Sequence, residues 1–123
     1  MKILIHIGGI YCLTFAIFHL AFWKLFDWKN DLPKLKSVNR GVIQVLNLRL
    51  TYVFIVVAFI SFFFADDLIN TKLGNVILAS ISIFAFMRAI EQLIFWKIEK
   101  IGIAFFFIFL IGAGIFAVPL FAK

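Results

Sequence analysis

The sequence predicts an all-α fold, an integral membrane four-helix bundle with the N-terminus and the C-terminus both outside. Three observations support this prediction. The 123 residues are 65% hydrophobic and only 15% charged, with a mean hydropathy of +1.14. A water-soluble domain of this length leaves roughly a third of its extended-chain surface exposed, which such a composition cannot supply with polar groups. Four apolar runs follow one another along the chain, and polar residues recur within three of them at helical spacing.

Each apolar run is close to the ~20 residues that a helix needs to cross about 30 Å of hydrocarbon. Backbone groups in lipid must bond within their own segment, and the alternation typical of a β-barrel is absent, so each run is predicted to be helical. We expect a single transmembrane domain, 1–123. Its helices are predicted at about 3–24, 42–65, 73–97 and 101–122, with a basic cytoplasmic loop at 25–41.

The orientation is predicted from the distribution of lysine and arginine, since short basic loops stay in the cytoplasm. The first and third loops carry seven basic residues and the opposite side carries three, which favours both termini outside. Tryptophan prefers the membrane interface, and all three tryptophans fall at the predicted inner boundary. The seven are Lys24, Lys29, Lys34, Lys36, Arg40, Lys97 and Lys100, and the three are Lys2, Lys72 and Lys123.

Polar and small residues form a stripe along each of the first three predicted helices, because steps of three and four residues keep side chains on one face. The first stripe is Gly8, Cys12, Ala16, His19 and Trp23. The second is Arg40, Gln44, Asn47, Thr51, Phe54, Ala58 and Ser61. The third contains Arg88, Glu91 and Gln92, with Ser82 and Ser80 further out.

The stripes carry their most polar residues at similar depths. Counting 1.5 Å per residue from the predicted inner boundary places His19, Asn47 and Glu91 about 6 to 7 Å inside it, and Arg88 about 12 Å inside. A charged side chain in lipid costs at least ~2.5 kcal/mol, so these groups should face the bundle and meet one another. The resulting polar layer is predicted to be the binding site, and it consists of His19, Arg40, Gln44, Asn47, Arg88, Glu91 and Gln92.

Two interpretations of this layer are open. In the structural one, Arg88 and Glu91 neutralise each other at i and i+3, and His19, Gln44 and Asn47 tie helices together. In the functional one, the same groups line a water-accessible pocket that opens toward the cytoplasm. Arg49 lies about 200° around the helix from Asn47, so it is expected to point away from the layer.

The sequence supports neither a metal site nor a cofactor. His6 and His19 are thirteen residues apart on one helix, or about 20 Å, so they cannot share a metal or a haem. Cys12 is the one cysteine, which excludes an intramolecular disulfide and a cysteine-based cluster, and it is expected to be a packing residue. The basic residues lie beside apolar runs, a pattern typical of attachment to a lipid surface rather than to nucleic acid.

The run Ala16-Ile17-Phe18-His19-Leu20-Ala21-Phe22-Trp23, the loop ending Val38-Asn39-Arg40-Gly41, and the following Gln44 and Asn47 resemble small four-span bacterial membrane proteins of unknown function. Those proteins carry a histidine near the inner end of helix 1 and an asparagine-rich start to helix 2. The resemblance covers the first half of the chain. It implies a four-span fold, and it draws attention to His19, Asn39 and Asn47 without implying an activity. We separately expect a multi-pass protein of the inner (plasma) membrane.

Three functions are compatible with the sequence. The first is binding or transport of a small amphiphile or ion at the polar layer, in contact with membrane lipid and with a second copy of the chain as a candidate partner. The second is an accessory or assembly subunit of a larger membrane complex, in which the layer is structural. The third is an intramembrane acid-base enzyme, for which no nucleophile motif, metal set or glycine-rich phosphate loop is present. We therefore assign no catalytic residue.

Overall fold

The computed structural model describes residues 1–96 and 100–122, and every regular element in these ranges is helical. The all-helical fold predicted from the sequence is thereby confirmed. The helices are α1 (Lys2–Leu20), α2 (Phe22–Leu25), α3 (Trp28–Asp31), α4 (Ser37–Phe63), α5 (Ala65–Asn70), α6 (Lys72–Phe95) and α7 (Lys100–Phe121), and one 3-10 turn covers Leu32–Lys34.

Four of these helices, α1, α4, α6 and α7, are long and apolar enough to cross a membrane. They correspond to the four predicted spans. Helix α4 begins at Ser37, earlier than the expected 42, and Arg40 N–H already donates to the Lys36 carbonyl at 3.0 Å. The difference arises because hydropathy marks where apolar residues begin, whereas helical hydrogen bonds extend into the polar flank. Lys97, the last residue of the predicted third helix, lies outside the described residues.

The predicted basic loop 25–41 contains ordered turns of helix. The chain turns between α2 and α3 at Asp27, whose φ of 52° is a left-handed conformation that aspartate tolerates. Asn30 Nδ2 donates to both carboxylate oxygens of Asp27 at 3.0 Å, which braces this turn. The Trp28 ring then lies 4.9 Å from the Trp23 ring, in an edge-to-face arrangement. Aromatic packing therefore folds the basic segment back on α2.

The chain divides into two compact units, Met1–Gly8 with Ser61–Lys123, and Gly9–Ile60. In the first unit α6 packs along α7, and Ser82 Oγ donates to the Ala113 carbonyl oxygen at 2.8 Å. The core of this unit includes Ile5, Leu78 and Phe116, each at most 1% exposed. In the second unit, the buried residues include Cys12 and Ala16 of α1 and Asn47 and Thr51 of α4.

The corner between α5 and α6 belongs to the first unit and depends on close backbone approach. The Thr71 side chain accepts the Gly74 N–H at 2.9 Å and so caps the start of α6. A β-carbon at Gly74 would overlap the backbone of Asp67 and Leu68. Glycine is thus required here by the short path from α5 into α6.

Gly8 of α1 packs tightly against α7 within the first unit. A β-carbon at this position would lie 2.6 Å from Phe116 Cζ and 3.1 Å from Ile115 Cγ2. The Phe116 side chain is 1% exposed, so it has little room to move away. Small residues of this kind let helices in membranes approach closely.

We therefore expect Gly8→Ala to lower the free energy of unfolding in detergent by about 1–3 kcal/mol, the usual cost of overpacking a filled core. The matched control is Gly114→Ala on α7, where a β-carbon meets nothing within 4 Å. That control should be neutral or stabilising, because alanine favours a helix more than glycine does. Equal thermal midpoints for the two variants would contradict the packing described for Gly8.

Candidate functional site

The polar stripe predicted on α4 is an inward-facing surface of the helix. Asn47, Thr51, Ala58 and Ser61 are all buried, and the other three members of the stripe are half-buried. Arg49, by contrast, is exposed, which confirms that it points away from the stripe. On α1, three of the small residues that share the predicted face, Gly8, Cys12 and Ala16, are buried as well.

Within the second unit the side chain of Asn47 joins α4 to the end of α1. Asn47 Nδ2 donates to the His19 carbonyl oxygen at 2.9 Å. His19 lies in the last turn of α1, where carbonyl groups lack partners further along the helix. The amide of Asn47 therefore caps α1, and the identity of its acceptor requires that the nitrogen, not the oxygen, faces His19.

Gln44 makes a second connection one turn away along α4. Its Oε1 accepts from Trp23 Nε1 at 3.3 Å, and its Nε2 donates to the Arg40 carbonyl oxygen at 3.1 Å. Because an indole nitrogen only donates and a carbonyl only accepts, both contacts require the same orientation of the amide. Gln44 thus ties α2, which carries Trp23, to the first turns of α4.

Aromatic rings surround the His19 side chain. The nearest are Phe22, with a centroid distance of 4.6 Å, and Phe54 of α4 at 5.2 Å. Phe15, one turn earlier on α1, lies 6.4 Å from the His19 ring, and the adjacent Phe18 lies 5.9 Å from it. The imidazole is therefore half-buried in an apolar, ring-lined setting at the junction of α1, α2 and α4.

One hydrogen bond identifies the proton position on this imidazole. His19 Nδ1 lies 2.7 Å from the Phe15 carbonyl oxygen. A carbonyl oxygen can only accept, so Nδ1 carries a proton, and in the neutral ring Nε2 carries the lone pair.

Two polar atoms on the same unit have no hydrogen-bond partner among the described residues. They are Arg40 Nε, a donor, and Asn47 Oδ1, an acceptor, and both are buried. Arg40 and Asn47 are two turns apart on one face of α4, or about 10 Å along the helix. A buried polar atom without a partner costs about 1–3 kcal/mol. The second unit therefore contains one buried donor and one buried acceptor that have no hydrogen-bond partner among the described residues.

The remaining members of the predicted layer lie on α6, in the first unit. The expected Arg88–Glu91 ion pair is not formed: within residues 1–96 and 100–122 the ion pairs are Lys2–Asp66 and Lys34–Asp31. Instead the Arg88 guanidinium carbon lies over the rings of Phe109 and Trp96, at 4.6 Å and 4.9 Å from their centroids. Glu91 is exposed, and Gln92 is 6% exposed.

Two further buried polar atoms lie in the first unit. His6 Nε2 and Ser61 Oγ are buried and have no hydrogen-bond partner in the described part of the chain, and the His6 ring lies 6.2 Å from the Phe62 ring. No cluster of three or more metal-binding side chains occurs among the residues that the structure describes. Cys12, a packing residue by expectation, is 3% exposed.

Sequence reasoning missed the aromatic partners of the two central polar residues. Trp96 and Phe109 contact Arg88, and Phe22 and Phe54 contact His19. Spacing offered a signal for Phe22, which lies three residues after His19. No local signal could identify Phe109, which lies on a different helix from Arg88 and is one of eighteen phenylalanines.

No protein-family model, curated protein or solved structure matches this chain. The function is therefore argued from the geometry of these residues alone.

The bond between His19 and Phe15 makes a direct spectroscopic prediction. In micelles at about pH 9, where an ordinary imidazole is neutral, nitrogen NMR of the His6→Gln variant should show the His19 proton on Nδ1. This result is expected because the Phe15 carbonyl oxygen can bond only a protonated nitrogen. A neutral ring with its proton on Nε2 would contradict the geometry.

Proposed function

We propose that this protein is a multi-pass protein of the bacterial inner membrane that binds a small amphiphile at the junction of α1, α2 and α4. The proposal rests on one observation, the pair of buried and unpartnered atoms Arg40 Nε and Asn47 Oδ1 on the inward face of α4. Native proteins leave few such atoms unsatisfied, and each one calls for a specific cause such as a bound molecule or water.

The chemistry of the two atoms favours an amphiphile over a metal ion. Arg40 offers a cationic N–H, which suits an anionic oxygen, and Asn47 offers a neutral amide oxygen, which suits a hydroxyl or amine. A single-chain amphiphile with an acidic headgroup at Arg40 and a hydroxyl further along α4 at Asn47 meets both needs. The rings of Phe22 and Phe54 near His19 would lie against its hydrocarbon portion. A cation at the same place would be repelled by Arg40.

The orientation that we propose puts this junction at the cytoplasmic leaflet. It is supported by the excess of lysine and arginine in the first and third loops over the opposite side. Trp23 and Trp28 support a position of the junction near an interface, since tryptophans are enriched at both interfaces of a membrane. In this orientation an amphiphile would enter from the inner leaflet with its headgroup at the depth of Arg40.

A reporter that is active only in the cytoplasm should therefore give low activity when it is fused after Lys123. The reason is that the positive-inside bias retains the basic 25–41 segment in the cytoplasm and exports both ends. A reporter active only outside the cytoplasm, fused at the same point, provides the complementary control and should be active. The opposite pattern would overturn the orientation.

The binding site is tested with a matched pair of arginine variants, Arg40→Gln and Arg49→Gln. Both lose one charge nine residues apart on α4, but only Arg40 lies on the inward stripe. The probe is lysophosphatidylglycerol, added to protein in a neutral maltoside detergent and followed by the emission of Trp23 and Trp28 in a Trp96→Phe background. We expect saturable binding that Arg40→Gln weakens about tenfold, the effect of losing a charged hydrogen bond, and that Arg49→Gln leaves unchanged.

Lysophosphatidylcholine serves as the headgroup control and should bind more weakly, because it lacks the net negative charge. Non-saturable binding, or an equal loss of affinity in the two arginine variants, would contradict the proposed site. Native mass spectrometry of the purified protein then identifies the amphiphile, and it would also reveal a homo-oligomer or a membrane-protein partner.

The accessory or assembly subunit is the second candidate, and one observation favours it. The bonds from Asn47 to His19 and from Trp23 to Gln44 join separate elements, as structural hydrogen bonds do. In that case Asn47→Leu would destabilise the protein without any change in amphiphile binding. The intramembrane enzyme has no comparable support from the residues near His19.

A further inference from the structure

Arg88 carries a charge far inside the apolar part of α6. The helix ends at Phe95, seven residues later, so the Arg88 backbone lies about 10 Å from that end. Charged side chains at such depth are costly and ordinarily pair with a counter-charge. Arg88 therefore needs other contacts or a ligand to balance its charge.

The contacts of Arg88 balance part of this cost. Its guanidinium carbon lies 4.6 Å from the Phe109 ring and 4.9 Å from the Trp96 ring. Cation–π contacts of this kind are attractive and offset part of the cost of burying the charge. The N–H groups of the guanidinium still need hydrogen-bond acceptors.

Arg88 Nη1 is buried and has no hydrogen-bond partner in the described ranges 1–96 and 100–122. The nearest acidic residue along α6, Glu91, is exposed and forms no ion pair with it among those residues. A guanidinium that lies against two rings and has a buried N–H group without an acceptor in those ranges is suited to an anionic oxygen.

We propose that Arg88 is the centre of a phosphate-binding site, framed by Trp96 and Phe109, that takes the phosphate of an anionic lipid headgroup or free inorganic phosphate. This site lies in the first unit and uses none of the residues assigned to the amphiphile site, so either can fail without the other. In a membrane, the anion nearest to this depth is the lipid phosphate. A buried arginine can reach it because its side chain extends toward the interface and the bilayer thins locally around the charge.

The neighbouring polar residues on α6 affect this site in opposite directions. Gln92 lies four residues after Arg88 on the same face of α6 and is 6% exposed. The polar face of α6 therefore continues from Arg88 toward the end of the helix. Glu91 places a carboxylate one turn away, and like charge should weaken phosphate binding.

The test follows Trp96 as the one tryptophan of a Trp23→Phe, Trp28→Phe double variant reconstituted in bilayers. Brominated phosphatidylglycerol and brominated phosphatidylcholine are compared as quenchers of Trp96 emission, and the ratio of the two measures preference for the anionic headgroup. We expect a preference for phosphatidylglycerol that Arg88→Gln lowers about tenfold, the effect of losing a charged hydrogen bond. Arg49→Gln removes the same charge from an exposed position and should leave the preference unchanged.

Inorganic phosphate, added to the same protein in neutral detergent, distinguishes the two sources. Saturable quenching or shift of Trp96 emission that depends on Arg88 identifies free phosphate as a ligand, whereas a response to the lipid alone identifies the headgroup. Glu91→Gln should strengthen binding of either probe a few-fold. Equal preference for the two lipids together with no response to phosphate would overturn the proposal, as would equal losses in Arg88→Gln and Arg49→Gln.

Discussion

In an apolar solvent each polar group of a helix must find its partner inside the protein, and four helices of this chain are long and apolar enough to cross a membrane. The hydroxyls of Thr14, Thr51 and Ser80 each donate to the carbonyl oxygen four residues earlier, at 2.7–2.8 Å. His19 and Gln44 bond the carbonyl four residues earlier in the same way. These bonds are made within a single helix, so helix formation alone provides their acceptors.

Fewer side chains connect one element with another. Asn47 bonds the end of α1, Trp23 bonds Gln44, and Ser82 bonds a carbonyl of α7. Each such bond contributes about 0.6 kcal/mol in a membrane protein, because the separated helices also find partners. Close packing therefore has to supply more of the stability than these bonds do, and the contact of Gly8 with Phe116 is the clearest example.

The sequence predicted the features that depend on periodicity and hydropathy. The four spans and the inward stripe of α4 follow from runs of apolar residues and from 3.6-residue spacing, and the exposure of Arg49 follows from the same geometry. The start of α4 at Ser37 could not be predicted, because a helix continues past the apolar boundary. Nor could the partners of Arg88: spacing placed Glu91 within reach, but it cannot rank an ion pair against two rings brought in by tertiary packing.

Three arginines of this chain differ in exposure and in contacts, because they occupy different positions on the helices. Arg49 is exposed on α4. Arg40 lies in the first turn of the same helix with a buried Nε, and Arg88 lies on α6 against two aromatic rings. Arg40 and Arg88 share one property: each has a buried N–H donor without an acceptor among the described residues.

A buried donor without a partner couples the binding of an anion to the free energy of unfolding. Any anion that occupies Arg40 or Arg88 in the folded protein, and not in the unfolded one, raises the free energy of unfolding with the logarithm of its concentration above its Kd. A ligand at 100 times its Kd adds about 2.7 kcal/mol, which exceeds the contribution of any single hydrogen bond between these helices. Because the polar contacts between elements are individually weak, the concentration of such an anion would change the free energy of unfolding by as much as the protein's own polar contacts do.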